Sequence, residues 1–253
     1  MTRLISGVIL AAGALAAIVF LPNTGLRLLA CAVAALAAFE YLRIVGGPTP
    51  DPVVALVAVM CWLMASPGAG AIAFRVLAIG VVVIEVLFRN QPIAAVTARY
   101  FAVLYIALPL ALLVAIHALG GREAVLLLIA TIVVSDSSQY YTGRMFGRRA
   151  LAPTVSPKKT IEGAVGGVVI GTLFMILAGR SVLPFARTPM LVAMGASVVT
   201  LGIIGDLFES KLKRVAGVKD SSDLIPGHGG VLDRIDALLL ATPAFYLFLN
   251  ELM

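Results

Sequence analysis

A succession of apolar runs, most of them 18 to 24 residues long and separated by short breaks of Gly, Pro, Asn and charge, restricts this chain more than any other feature. Nine are read, over 4–21, 25–44, 52–66, 70–88, 95–118, 123–142, 161–179, 189–209 and 231–250. About 20 apolar residues in a helix cross a hydrocarbon layer of roughly 30 Å. A helix also satisfies its own backbone polar groups where no water can. The expectation is therefore an all-α, polytopic membrane bundle of about nine transmembrane helices. The run 52–66 is short and fits only by tilting or by local thinning of the bilayer. The breaks are plain at Pro22-Asn23, Gly46-Gly47-Pro48, Pro67-Gly68, Asn90-Gln91-Pro92, Gly120-Gly121, and Pro184 with Pro189. Little chain is left over, so residues 1–253 are read as one integral membrane domain. The first run is long for a signal-peptide core and reaches Leu21-Pro22 without a small-x-small cleavage site, so it reads as a retained helix.

Only 13% of the residues are charged and 61% are hydrophobic, against about a quarter charged in a soluble domain. Disordered, nucleic-acid-binding and disulfide-scaffold classes are thereby excluded, although the net charge is +6. Cys31 and Cys61 sit inside apolar runs without CxxC spacing and read as packed thiols. Placing the N-terminus inside puts fourteen of the nineteen basic residues on the inner side. That asymmetry favours a cytoplasmic N-terminus and an external C-terminus, with the polar loops 143–160 and 210–230 on the cytoplasmic face. The acids are uneven too. Residues 1–121 hold three, Glu40, Asp51 and Glu85, whereas 122–253 hold ten, six of them between Asp206 and Asp236. Carboxylates near a membrane are costly unless they face a cavity, a partner or a metal. Residues 1–121 thus read mainly as scaffold and 122–253 as the catalytic half.

The densest polar stretch runs from Gly205-Asp206 through Glu209, Ser210, Lys211, Lys213, Arg214, Lys219, Asp220 and Asp223 to Pro226-Gly227-His228-Gly229-Gly230, Asp233, Arg234 and Asp236. Asp233 and Asp236 stand at i, i+3 on one helix face, and Asp206 lies near the cytoplasmic end of the preceding helix. Oxygen-only donors suit Mg²⁺ or a similar hard cation that shares phosphate oxygens with its substrate. Zinc is disfavoured because no Cys or second His lies nearby. The lysines and Arg214 would face the remaining phosphate charge. Taken singly, first-turn acids also answer the helix dipole, and a basic cluster also anchors topology. Their co-occurrence within some thirty residues favours a metal–phosphate site. His228 fits a general base, a phosphate donor or a loop-fixing hydrogen bond, the last being the first choice on chemistry alone. Upstream, Asp136 lies inside an apolar span, either as a functional carboxylate or as a buried partner of a polar network. Ser156-Pro157-Lys158-Lys159-Thr160 precedes a helix whose free N–H groups suit an anion.

The stretch Ser210-x-x-Lys213-Arg214-x₄-Lys219-Asp220-x₅-Pro226-x-His228-Gly229-Gly230-x-x-Asp233-Arg234-x-Asp236 resembles the signature of the phosphatidate cytidylyltransferases, or CDP-diacylglycerol synthases. A second block is similar to the same family: Asp136, then Tyr141-x-Gly143-Arg144-x-Phe146-Gly147, Leu151-Ala152-Pro153 and Ser156-Pro157-Lys158-Lys159-Thr160-x-Glu162-Gly163. It departs from the usual Thr-Gly-Ala-like run at Ser137-Ser138-Gln139. The resemblance covers about the last 120 residues and carries nothing functional onto residues 1–120.

It implies transfer of a cytidylyl group from CTP to phosphatidic acid, giving CDP-diacylglycerol and pyrophosphate for phospholipid synthesis. Mg²⁺ would be the cofactor, with a second cation such as K⁺ in some members. It also implies a bacterial inner membrane, a cytoplasm-facing site and a homodimer. Asp206, Asp233 and Asp236 are then the expected metal ligands, with Asp220 and His228 beside them in the catalytic set. Lys159, Lys213, Arg214, Lys219 and Arg234 would bind phosphates, together with Ser156, Lys158, Thr160, Asp136 and Arg144. A CTP-dependent polyprenol or phytol kinase shares some of these elements but not the complete His228-to-Asp236 run. A transporter would carry its charges near the midplane, whereas here they gather at one face.

Overall fold

The computed structural model describes residues 2–46, 51–65, 80, 83, 87 and 92–252. They form two compact units, one from segments 1–115 and 220–234, the other from 116–219 and 235–253. The segment 220–234, which carries much of the second motif, thus packs with the N-terminal helices rather than with its sequence neighbours.

In the first unit, α1 (Thr2–Phe20) and α2 (Asn23–Ile44) are separated at Pro22, which is extended at φ −65°, ψ 162° and has no N–H with which to continue a helix. The buried face of α2 carries Ala30, Ala34, Ala37 and Ala38. Methyl-sized side chains let a neighbouring backbone come close, and α3 (Val53–Met64) takes that place as the main partner of α2. Asp51 starts α3 by accepting the Val53 N–H on Oδ1 at 2.9 Å. Its carboxylate is gripped by Arg99 of α4 (Ile93–Ala102), Nε donating to Oδ2 at 2.8 Å and Nη2 to Oδ1 at 2.9 Å. This two-pronged pair is buried, with side chains 7% and 1% exposed. It ties α4 to α3, as the Tyr41 hydroxyl, donating to Ala98 O at 2.8 Å, ties α4 to α2.

A π-helical turn, Val103–Ala107, joins α4 to α5 (Leu108–Phe146). Its cause is Pro109, whose ring cannot accept an α-helical approach to the carbonyl four residues back. The wider turn makes room, with Leu108 N–H bonding to Val103 O. In the second unit α5 breaks at Gly121, where φ is +70° and ψ −176°, a left-handed value that glycine adopts without a side-chain clash. Beyond α5 the chain forms an antiparallel hairpin, β1 (Ala150–Ala152) with β2 (Ser156–Thr160), in the register Ala150↔Thr160 and Ala152↔Ser156. The expected polar loop 143–160 therefore contains a small sheet, turned at Ala152–Val155 by a 3.1 Å backbone bond. Pro157 fits an edge strand because it needs no ladder donor.

Next come α6 (Ile161–Val182), α7 (Thr188–Val215) and, after the segment contributed to the first unit, α8 (Leu232–Leu252). One face of α6 buries Gly163, Gly167, Gly171 and Gly179. A Cβ on Gly171 would lie 2.7 Å from Val199 of α7, so the two backbones need that glycine. The opposite face exposes Val165, Val169, Leu173 and Leu177, each at least 51% exposed. A bare aliphatic stripe of this kind is costly in water and suits lipid.

Among the described residues, five helices are long and apolar enough to cross a membrane: Asn23–Ile44, Ile93–Phe146, Ile161–Val182, Thr188–Val215 and Leu232–Leu252. Among the described residues the strands are confined to the hairpin, and the architecture is that of a helical membrane protein. The two runs expected over 95–118 and 123–142 make up the long Ile93–Phe146 stretch, divided at Gly121. Ser6–Phe20 and Val53–Met64 are apolar but shorter. Apart from residues 80, 83 and 87, the run at 70–88 lies outside the described residues.

Candidate active site

In the second unit β2 runs straight into α6, and that junction builds the site. Thr160 stays extended at φ −117°, ψ 154°, and its hydroxyl accepts the Gly163 N–H at 3.1 Å, capping α6. Glu162, in the first turn, accepts the N–H groups of Arg148 at 3.0 Å and Arg149 at 3.3 Å, so the same helix end also holds the entry to the hairpin. Within β2 two neighbours differ: Lys158 is exposed, while Lys159 is half-buried and forms an ion pair with Asp206 of α7. Ser210, one turn further along α7, donates to Asp206 Oδ1 at 3.3 Å.

These groups open onto a cavity of about 490 Å³ lined by Asp136, Arg144, Ser156, Lys158, Lys159 and Asp206. On the α5 wall, Gln139 Nε2 donates to Asp136 Oδ1 at 2.9 Å, and Arg144 reaches the Tyr140 hydroxyl at 3.3 Å. Tyr140, which lines the cavity, is exposed, as are Tyr141, Met145 and Phe146 further along the same end of α5. Cations, two carboxylates and an exposed tyrosine therefore share the cavity wall. That combination suits an anionic headgroup whose chains remain in lipid.

Asp236 joins the group from α8. A Cβ on Gly205 would fall 2.5 Å from Asp236 O and 3.3 Å from Ala237 Cα. The absence of that Cβ lets α7 and α8 touch backbone to backbone beside both carboxylates. Asp236 lies within electrostatic range of Asp206, Lys213 and Lys159, and Asp136 within range of Lys159 and Asp206. Lys213 is buried, paired with the fully buried Glu209 one turn away. Arg214 donates to the carbonyls of Val155, at 3.4 Å, and Val218, at 3.3 Å, fastening the hairpin turn to the end of α7. Lys219 is exposed.

Asp206 and Asp236, within electrostatic range of each other, supply hard oxygen donors, a chemistry that fits a cation such as Mg²⁺. Among the described residues no three Asp, Glu, His or Cys side chains are grouped to hold an ion alone. An ion at this position would complete its shell with phosphate and water oxygens, as Mg²⁺ commonly does.

The remaining expected residues belong to the first unit. Asp233 Oδ2 accepts Ser221 N–H at 2.9 Å and Gly230 N–H at 2.8 Å, and lies 2.8 Å from Ser221 Oγ. Gly229, at φ +77°, closes the loop tightly: a Cβ there would meet Asp233 Oδ2 at 2.6 Å. The loop narrows further through Ile225 N–H to Gly229 O and His228 N–H to Ile225 O, both 2.9 Å. His228 Nδ1 lies 2.8 Å from Ser6 Oγ of α1, whose own proton goes to Pro226 O at 3.0 Å. This set is satisfied when Nδ1 carries the imidazole proton. Asp220 and Arg234 are exposed.

Sequence reasoning passed over Ser6 and Glu40. Glu40 of α2 is 2% exposed and accepts hydrogen bonds from Ser221, Ser222, Val231 and Leu232. A signal for it was present, because a carboxylate inside an apolar run is the criterion that singled out Asp136.

Residues 1–252 match the model of the Cytidylyltransferase family. A Phosphatidate cytidylyltransferase of Haemophilus influenzae is 45% identical over 129 residues, which are 49% of this chain and 45% of that protein. One of Thermotoga maritima is 38% identical over 172 residues, 62% of this chain and 60% of that protein. A protein of Escherichia coli named as uncharacterized is 42% identical over 131 residues, 52% of this chain and 44% of its own length. The chain thus spans about half the length of the curated relatives it matches.

Proposed function

The chain belongs to the cytidylyltransferase family, and we propose that it is a membrane nucleotidyltransferase that moves a cytidylyl group from CTP to phosphatidic acid, releasing pyrophosphate. The observation that carries this reading is the second-unit cavity, where Lys158, Lys159, Arg144 and Ser156 face Asp206 and Asp136 beside exposed aromatic side chains. A cationic wall binds phosphates; adjacent carboxylates bind the cation that travels with a triphosphate. The names of the Haemophilus and Thermotoga relatives support the same substrates.

In this reading an oxygen of the lipid phosphate attacks the α-phosphorus of CTP, and the bond to the β-phosphate oxygen breaks. The nucleophile belongs to the substrate, so no side chain needs to form a covalent intermediate. The protein's task is placement of two polyanions and neutralisation of their charge. Lys159 and Lys158 reach the phosphates from β2, Arg144 from α5, and Ser156 donates a hydroxyl from the start of β2. Asp206 and Asp236 would hold Mg²⁺; Asp233, the other carboxylate of the expected set, stands in the first turn of α8 after the 220–231 loop. Bound there, the ion would offset the charge developing on the pyrophosphate leaving group. Lys213, Arg214, Lys219 and Arg234 contribute positive charge, with Asp220 and His228 in the loop that precedes Asp233. The excess of basic residues in the loops supports a site at the cytoplasmic face of a bacterial inner membrane.

The test is an incubation of purified protein in detergent with labelled CTP, Mg²⁺ and either phosphatidic acid or a polyprenyl alcohol. Pyrophosphate release that depends on phosphatidic acid is expected. CDP release together with a phosphorylated alcohol would replace this reading with a lipid kinase. Orientation is checked by cysteines introduced at 215–225, and labelling from outside intact cells would overturn the cytoplasmic placement.

A further inference from the structure

We propose that Glu40, in the apolar run of α2, is the positioning residue that holds the 220–232 loop and the start of α8, and through them the Asp233 carboxylate. The rate effects it predicts rest on the cytidylyltransferase reading; the structural effect does not. Glu40 Oε1 accepts Ser222 Oγ–H at 2.6 Å and Val231 N–H at 3.0 Å. Oε2 accepts Ser221 Oγ–H at 2.9 Å and Leu232 N–H at 2.8 Å. Each oxygen therefore takes one hydroxyl and one backbone amide, from chain 181 to 192 residues away. The two amides stand at the start of α8, where helix N–H groups lack partners and the dipole favours negative charge. A separate helix supplies the carboxylate that a local capping residue would ordinarily provide.

The loop is built to admit it. A Cβ on Gly230 would collide with both Glu40 Oε2 and Ser221 Oγ. Ser221 Oγ also lies 2.8 Å from Asp233 Oδ2, so its one proton is shared between the Glu40 and Asp233 carboxylates. Asp233 takes the Ser221 and Gly230 amides as well, and Glu40 holds Ser221 itself and Val231, the residue after Gly230, so moving Glu40 disturbs these donors to Asp233. The arrangement also demands a carboxylate in particular. In Glu40→Gln the amide nitrogen would replace one oxygen and face a backbone N–H of Val231 or Leu232, donor against donor.

The test uses the full-length wild type, Glu40→Gln, Ser222→Ala and Asp51→Asn. The last breaks the buried pair with Arg99 in the same unit and reports loss of stability alone. Amide hydrogen exchange over 220–236 is followed without substrate; kcat, KM for CTP and the Mg²⁺ concentration at half-maximal rate are measured with phosphatidic acid. Glu40→Gln is expected to speed exchange at 221–232 and to lower kcat per folded molecule, each by roughly tenfold or more. It should also raise the half-maximal Mg²⁺ concentration, whereas Asp51→Asn leaves that concentration unchanged. Ser222→Ala should show the same signature more weakly, and it decides the matter if Glu40→Gln does not fold. Wild-type exchange and Mg²⁺ dependence in both loop variants overturn the proposal. Faster exchange with unchanged kcat and Mg²⁺ dependence also overturns it, leaving Glu40 a scaffold residue. If the wild type releases no pyrophosphate with phosphatidic acid, the cytidylyltransferase reading fails and the exchange result alone decides Glu40.

Discussion

Replacing Gly205 with alanine should inactivate the enzyme without touching a single charged group. The added Cβ would sit 2.5 Å from Asp236 O, against the 3.0–3.4 Å at which real Cβ contacts begin. The obstacle is backbone on a helix, not the end of a flexible side chain, so α7 and α8 must part by roughly 0.5–0.9 Å at the level of Asp206 and Asp236. Overpacking of this kind costs about 1–3 kcal/mol, or a fall in thermal midpoint of roughly 2–4 °C per kcal/mol for a chain of this size. The catalytic loss should be larger than the stability loss implies, because about 1 Å of misplacement in a reacting assembly costs on the order of 10²-fold in rate. Gly202 provides the control. It lies one turn earlier, facing the same helix, and its Cβ would meet Ala237 at an ordinary 3.8 Å. Gly202→Ala should keep wild-type turnover. The assay is pyrophosphate release from CTP with phosphatidic acid, normalised to folded protein, beside thermal unfolding of each variant. Full activity in Gly205→Ala, or equal losses in the two variants, would refute the claim that helix approach at Gly205 places the carboxylates.

Lys159→Met removes the cation facing Asp206 and should lower kcat by about 10²- to 10³-fold; turnover within threefold of wild type would take Lys159 out of the site. Asp236→Asn should abolish turnover while the protein still inserts and purifies, which a labelled-CTP assay and gel filtration check together. Thr160→Val loses the cap on Gly163 N–H and should cost about 1 kcal/mol of stability, seen as a lower thermal midpoint, with Thr160→Ser restoring it.

The membrane class and most helices were legible because the bilayer enforces a length on apolar runs and a penalty on charge. The break at Gly120-Gly121 was equally plain, and Gly121 does take a left-handed backbone there. The Lys158-Lys159 corner could be read from its charge beside a helix start, and the cavity contains both residues. The hairpin was less visible. Three- and five-residue strands with a proline leave no alternation to detect.

Asp233 and Asp236 mark where local reasoning stopped. Three residues apart on one helix, they read as a pair; Asp233 also accepts the amides of Ser221 and Gly230 in the loop before it, and Asp236 sits where Gly205 lets α7 approach. His228 read as a catalytic or loop-fixing residue, and its hydrogen bond goes to Ser6, 222 residues away. Glu40 fell within a half of the chain taken for scaffold, yet it receives four hydrogen bonds from the motif that carries the family resemblance.

The physical reason for the division is range. Hydropathy, helix length, breaks and the clustering of charge depend on neighbouring residues and on a solvent that acts alike on every segment, so they can be read along the chain. Which carboxylate meets which donor depends on backbones brought together by missing Cβ atoms and by buried polar groups that must find partners. Those partners stand far apart in sequence, and only folding shows that Glu40 of the second helix holds the loop before the last.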